Sequence, residues 1–144
     1  VPDDDDVRER TGAAYRRCFG CGTDNPIGLQ LRFERADGGA RATFRPRPEY
    51  QGWDNMLHGG IILTMLDETL AYAAIFEAGP AVTAEINARI RRPGPMDQAY
   101  SLFGQVTKRR LGLIATHATI TDEAGNLIAE ADGKFMLMRE GIET

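Results

Sequence analysis

The chain has 144 residues, 42% of them hydrophobic and 26% charged, with a formal net charge of -4. That describes one globular domain with one sizeable core, not two domains and not a disordered chain. The acidic balance argues against nucleic acid as the main partner, and two cysteines argue for a reducing compartment over a disulfide scaffold.

The opening VPDDDDVRER is acidic, then mixed, with no period, and Val1 to about Tyr15 is expected to be a mobile tail. It lacks the layout of a signal peptide and starts on Val rather than Met, so the expectation is a processed or trimmed end and a cytoplasmic protein. The domain is expected over residues 17–139, between a tail at 1–16 and a second at 140–144. Cys18 to Leu29, CFGCGTDNPIGL, is rich in turn residues and reads as an ordered loop. Leu29 to Glu34 alternates as a strand, Asp37-Gly38-Gly39 signals a hairpin, and Ala40 to Arg45 returns as a second strand. Glu49 to Leu57 is a loop leading into a helix.

That helix lies in His58 to Ala74, HGGIILTMLDETLAYAA, and is stopped by Gly79-Pro80. From Ile61 to Phe76 apolar residues lie on nearly every side, the pattern of a buried helix. The run around Ile61 to Leu66 is broken by Asp67-Glu68 short of membrane-spanning length, so no membrane insertion is expected. Val82 to Arg92 then alternates, with Val82, Ala84, Ile86, Ala88 and Ile90 on the face expected to be buried. Ala99 to Arg109, Leu111 to Thr121 and Leu127 to Met138 read as three more strands, the last two joined by a hairpin at Asp122 to Asn126. Two strands, a buried helix and four strands give an α+β fold in which a mostly antiparallel sheet wraps the helix. One sheet closes one side of a helix, so a second copy is the natural cover for the rest.

The helix start constrains the chemistry. Gly59 and Gly60 present N–H groups without intrahelical partners at the positive end of the dipole, and these can hold a carbonyl or an oxyanion. Asp67 follows Gly59 by eight residues, about 12 Å along a helix. One carbonyl cannot touch both. If both act on one bond, the carboxylate comes from a second copy of the chain.

HGGIILTMLDETLAYAA followed by AVTAEINARIRRPGP resembles the hotdog-fold acyl-CoA thioesterases of the PaaI-type branch. CFGCGTDNPIGLQLRF looks like the N-terminal segment of many members. The resemblance spans roughly Cys18 to Met138. It implies an antiparallel sheet around one central helix, a homodimer that pairs again as a homotetramer, and hydrolysis of an acyl thioester with no cofactor or metal. By the match, the Gly59 N–H, with His58 beside it, polarises the thioester carbonyl. Asp67 of the partner subunit is nucleophile or general base. Thr83 falls near a position where related enzymes orient water with a hydroxyl. Related enzymes carry an Asn or Gln where this chain has Gly52; Asn55 and Gln51 are the candidate replacements. Gly60 and the basic residues Arg91, Arg92, Arg109 and Arg110 would bind the coenzyme A portion, whose phosphates suit Arg. Arg89 and Lys108 flank those pairs, which are expected to gather at the ends of neighbouring strands. Trp53, Met56 and Phe76 are candidates to line an acyl pocket.

Other residues carry plainer expectations. Glu68 is about 100° round the helix from Asp67 and is expected in a structural salt bridge. His117 is expected to be satisfied or exposed. Cys18 and Cys21 form a C-x-x-C without a second pair, so loop packing is expected, with zinc available only if two copies pool their cysteines. The substrate expected is a medium-chain or aromatic acyl-CoA. The alternatives are a non-catalytic acyl-CoA-binding protein and a structural dimer with a filled pocket.

Overall fold

The apolar run at the centre of the sequence forms the long helix α1, Gly59–Ala78. It ends where Gly79 takes φ 97°, a left-handed conformation that favours glycine, and donates its N–H to Ile75 O at 2.8 Å. The computed structural model describes residues 16–138; the two tail expectations, apart from residue 16 itself, lie outside them. Ile62, Met65, Leu66 and Leu70 are fully buried, and each such side chain contributes about 1.5–3 kcal/mol through burial. By length and composition α1 would pass for a membrane span despite Asp67-Glu68, but it packs against five of the six strands.

The strands are β1 (Glu34–Ala36), β2 (Gly39–Phe44), β3 (Ala81–Ile90), β4 (Tyr100–Arg110), β5 (Leu113–Thr121) and β6 (Leu127–Leu137). They form one antiparallel sheet in the order β1-β2-β4-β5-β6-β3, wrapped round α1 as the hotdog architecture requires. Gly104 of β4 lies so close to the helix that a Cβ there would meet Thr69 O at 2.7 Å. Thr116 of β5 donates its hydroxyl to Leu70 O at 3.1 Å, fastening sheet to helix with a satisfied buried polar group. Asp37-Gly38 is the predicted hairpin turn, with Gly38 at φ 70°.

Two expectations are corrected here. Leu29 to Phe33 alternates buried and exposed as expected but is not a sheet strand. Leu29 and Leu31 donate instead to Phe19 O and Gly20 O, at 2.8 and 2.9 Å, and Gln30 sits at φ 53°. The segment is therefore committed to the cysteine loop, and only Glu34–Ala36 joins the sheet. Arg47 and Tyr50 close that loop from the other side, reaching Gly28 O at 2.8 and 2.5 Å.

The second correction concerns β3. Its register against β6 shifts between Thr83 and Glu85, leaving Ala84 as a bulge. Thr83 pairs with buried Phe135, and Ile86, Ala88 and Ile90 pair with buried Gly133, Ala131 and Ala129. Val82 pairs with exposed Met136 and so lies on the outer face, apart from the residues with which strict alternation grouped it. Nor is the apolar face buried within one chain: β3 is an edge strand, and Ile86 and Ile90 remain 37% and 45% exposed.

Candidate active site

His58 precedes α1 as its N-cap, with extended backbone at φ -60° and ψ 134°. Its Nδ1 accepts the Gly60 N–H at 2.9 Å. This one bond decides the roles of three neighbours. His58 shapes the helix start, Gly60 N–H is consumed in capping, and Gly59 N–H makes no hydrogen bond among the described residues. Both glycines are solvent-exposed, and a Cβ on Gly59 would meet only Ile90 Cδ1, at 3.7 Å. Gly59 is thus the available donor at the positive end of the helix.

The Gly59 N-terminus opens into a cleft of about 280 Å³ lined by Met56, Ile62, Ile90, Arg91 and Arg92 among others. Arg91 is partly held by Glu130 at 3.4 Å, and the N–H groups of Arg91 and Arg92 both reach Ile128 O. The loop before the helix is folded on itself: Asn55 takes φ 59°, and its N–H donates to Gln51 Oε1 at 3.1 Å. Gln51 therefore spends its amide oxygen on the turn, while Asn55 is exposed beside the cleft. At Gly52 a Cβ would lie 3.1 Å from His58 Cα, so a side chain there would press on the cap. Trp53 is 84% exposed and Phe76 is buried against Tyr72. Of the three pocket candidates only Met56 lines the cleft.

Asp67 lies two turns further along α1, half-buried, where β3 crosses the helix. The Thr83 hydroxyl donates to its Oδ1 at 2.8 Å. Burial pushes the Asp67 carboxyl up from its ordinary value, and the Thr83 hydrogen bond pulls the other way. The bulge at Ala84 makes this contact: it turns Thr83 onto the helix-facing side, which regular alternation would have denied it. Among the described residues no cation pairs with Asp67. A carboxylate oriented by a hydroxyl, with its second oxygen available, is equipped to attack a carbonyl or to take a proton from water.

The basic residues do not gather as expected. β3 and β4 are separated by β6 and β5 and run antiparallel to each other. Arg91 and Arg92 follow β3 at the Gly59 end. Arg109 lies in the cross-strand row Thr83–Phe135–Ile114–Arg109, so it and Arg110 sit at the Asp67 end.

Glu68 is not in a salt bridge among the described residues. Its Oε1 lies 3.6 Å from Cys18 Sγ, and Cys18, Cys21 and Glu68 offer three donor atoms all within 4.8 Å of one another. Burial raises the Glu68 carboxyl to about 8. A hydrogen bond from the Cys21 thiol, aided by backbone N–H groups of Cys21 and Gly20, lowers Cys18 to about 5, and the same thiol–thiol bond raises Cys21. In the Cys18–Glu68 contact the Cys18 thiol donates to Glu68 Oε1. Nothing in the sequence linked residues fifty positions apart. The only signal was that Glu68 stands in an apolar helix without a basic residue at helical spacing. His117, on the outer face, is satisfied by Asp132 at 2.9 Å.

The family model described as thioesterase superfamily matches residues 54–131, from the loop before the helix into β6. The bovine acyl-coenzyme A thioesterase THEM4 is 30% identical over 96 residues, which are 65% of this chain and 38% of that protein. The Xenopus laevis protein of the same name is 28% identical over 76 residues, 53% of this chain and 34% of its own. The chain thus spans less than half the length of these curated relatives. A solved thioesterase superfamily protein superposes with a TM-score of 0.78 at 26% identity, over 84% of this chain and 60% of that one. Escherichia coli PaaI, from the phenylacetic acid degradation operon, shares the fold with a TM-score of 0.69 at 21% identity, over 75% and 83% of the two chains. A Streptococcus pneumoniae hypothetical thioesterase solved with coenzyme A does so with a TM-score of 0.70 at 17% identity, over 75% and 85%. With the family match covering more than half of its length, this chain belongs to the thioesterase superfamily.

Proposed function

We propose that the chain hydrolyses an acyl-CoA thioester as a homodimer, each site joining Gly59 of one protomer to Asp67 of the other. The observation that carries this reading is the Thr83–Asp67 pair, set at one end of an exposed edge strand whose other end leads to the free Gly59 N–H. Two copies of β3 pairing antiparallel across a two-fold axis would bring opposite ends of the strand together. Ile86 and Ile90 would then be covered, the open edge would be paired, and the Asp67 end of one copy would face the Gly59 end of the other. The same operation would bring Arg91 and Arg92 of one copy towards Arg109 and Arg110 of the other. The basic residues that one chain separates would then serve one coenzyme A. Association of two dimers into a tetramer belongs to the same reading.

The chemistry follows from the donors and acceptors. Gly59 N–H receives the charge that develops on the thioester oxygen. Asp67 attacks the carbonyl carbon, or draws a proton from a water that does so; the carbon–sulfur bond breaks and the thiol leaves with a proton. Water supplies the oxygen and hydrogen that leave as free acid and CoA. Thr83 fixes the carboxylate and opposes the upward push of burial on it. The exposed cleft beside Met56 and Ile62 suits a medium-chain or aromatic acyl group. The test is thiol release from a panel of acyl-CoAs. Saturable binding without release at any chain length would favour a non-catalytic acyl-CoA-binding protein, the reading that Gly52 in place of an amide keeps open.

A further inference from the structure

We propose that Cys18, Cys21 and Glu68 form a binding site for a zinc-class divalent cation within a single protomer. Three ligand-type atoms from two distant parts of the chain converge within 4.8 Å of one another. With metal–sulfur and metal–oxygen distances of about 2.3 and 2.1 Å, a tetrahedral site has a sulfur–oxygen edge of roughly 3.6 Å. The Cys18 Sγ to Glu68 Oε1 distance is 3.6 Å.

The loop is shaped to make that approach. A Cβ on Gly20 would lie 2.2 Å from the Glu68 carboxyl carbon, so the carboxylate occupies the space of an absent side chain. A Cβ on Gly22 would meet Arg16 O and Cys18 N at 2.4 and 2.5 Å, and Gly22 N–H closes the turn on Cys18 O at 2.8 Å. The C-x-x-C spacing is one that zinc loops use.

The electrostatics point the same way. Two thiols and a carboxylate share a largely buried site with no Arg or Lys paired to them among the described residues. A cation in their midst offsets the cost of burying anionic donors together. Thiolate donors select zinc-like ions over calcium or magnesium. Cys18 is only half-buried, so solvent supplies the fourth position. The bound ion would pin the N-terminal loop to the helix one residue from Asp67, giving this chain a tether that needs no second copy.

The test is cobalt(II) binding to the reduced, chelator-treated protein. The expected result is one cobalt per protomer with an intense sulfur-to-cobalt charge-transfer band, displaced by zinc. C18S and C21S should each abolish most of that band. E68Q should keep the band but weaken binding by at least about tenfold, the low end of what losing even an outer-layer partner costs. Should a variant fail to fold, zinc protection of both cysteines against alkylation gives the same reading on the parent protein. Cobalt bound without a thiolate band, no binding by the reduced protein, or a Cys18–Cys21 disulfide that forms in place of metal binding would each overturn the proposal.

Discussion

Asp67 and Glu68 are neighbours in sequence, and the helix sends them to opposite kinds of site. One residue of rotation, about 100°, puts Asp67 under β3 and Glu68 under the cysteine loop. Burial raises both carboxyls. Thr83 opposes that effect at Asp67 with a neutral hydrogen bond that favours the charged form. At Glu68 the neighbouring Cys18 sulfur repels charge, and the carboxyl stays protonated to about 8. The same residue class on the same helix thus yields one carboxyl oriented by a hydroxyl and another set among cysteine sulfurs. Composition of the helix does not decide this; the elements packed over each position do.

The comparison breaks most visibly at Asp67. D67N keeps size and hydrogen bonding but removes the charge, and kcat should fall by about a thousandfold; parental activity in a thiol-release assay would remove Asp67 from the mechanism. G59P comes next. Gly59 is the first helical residue, where proline is favoured, and His58 already has the extended backbone that precedes proline. The variant should fold, lose only the donor N–H, and lose about a hundredfold in kcat. T83V should cost about tenfold. It should also shift the acid limb of kcat/KM to higher pH, because the hydroxyl is what lowers the Asp67 carboxyl. The sign for stability is opposite to that for activity. A carboxyl raised on folding contributes stability in full below its ordinary 3.8 and loses it as pH rises through the higher folded value. D67N should flatten that fall in a pH series of denaturant titrations. E68Q, the smallest change, should leave kcat within about twofold, since Glu68 faces the cysteine loop.

Much of this architecture was legible from periodicity: the buried helix, its glycine stop, the hairpins at Asp37-Gly38 and Asp122 to Asn126, and five of the six strands close to their ends. Legibility failed where backbone bonding departs from side-chain pattern. Leu29 to Phe33 alternates like a strand but spends its N–H groups on Phe19 and Gly20. β3 alternates without a break, yet a bulge at Ala84 re-aims Val82 and Thr83 relative to the rest of the strand. No residue type announces a bulge in AVTAEINARI, so Thr83 entered only through family resemblance. The arginine pairs were misplaced together because strand order, not strand sequence, sets which ends meet. At the helix start, HGG was readable as a donor site, but not that His58 would occupy Gly60 and leave Gly59 alone.

The central claim, that each site is shared between two copies, is tested most directly by mixing two inactive variants. D67N and G59P chains, unfolded and refolded together in equal amounts, give heterodimers with one intact site and one doubly damaged site. About a quarter of parental activity should return, since half of random dimers are mixed and half of their sites are whole. A mixture no more active than its two components would place Gly59 and Asp67 in separate reactions or within one chain, and would contradict the account.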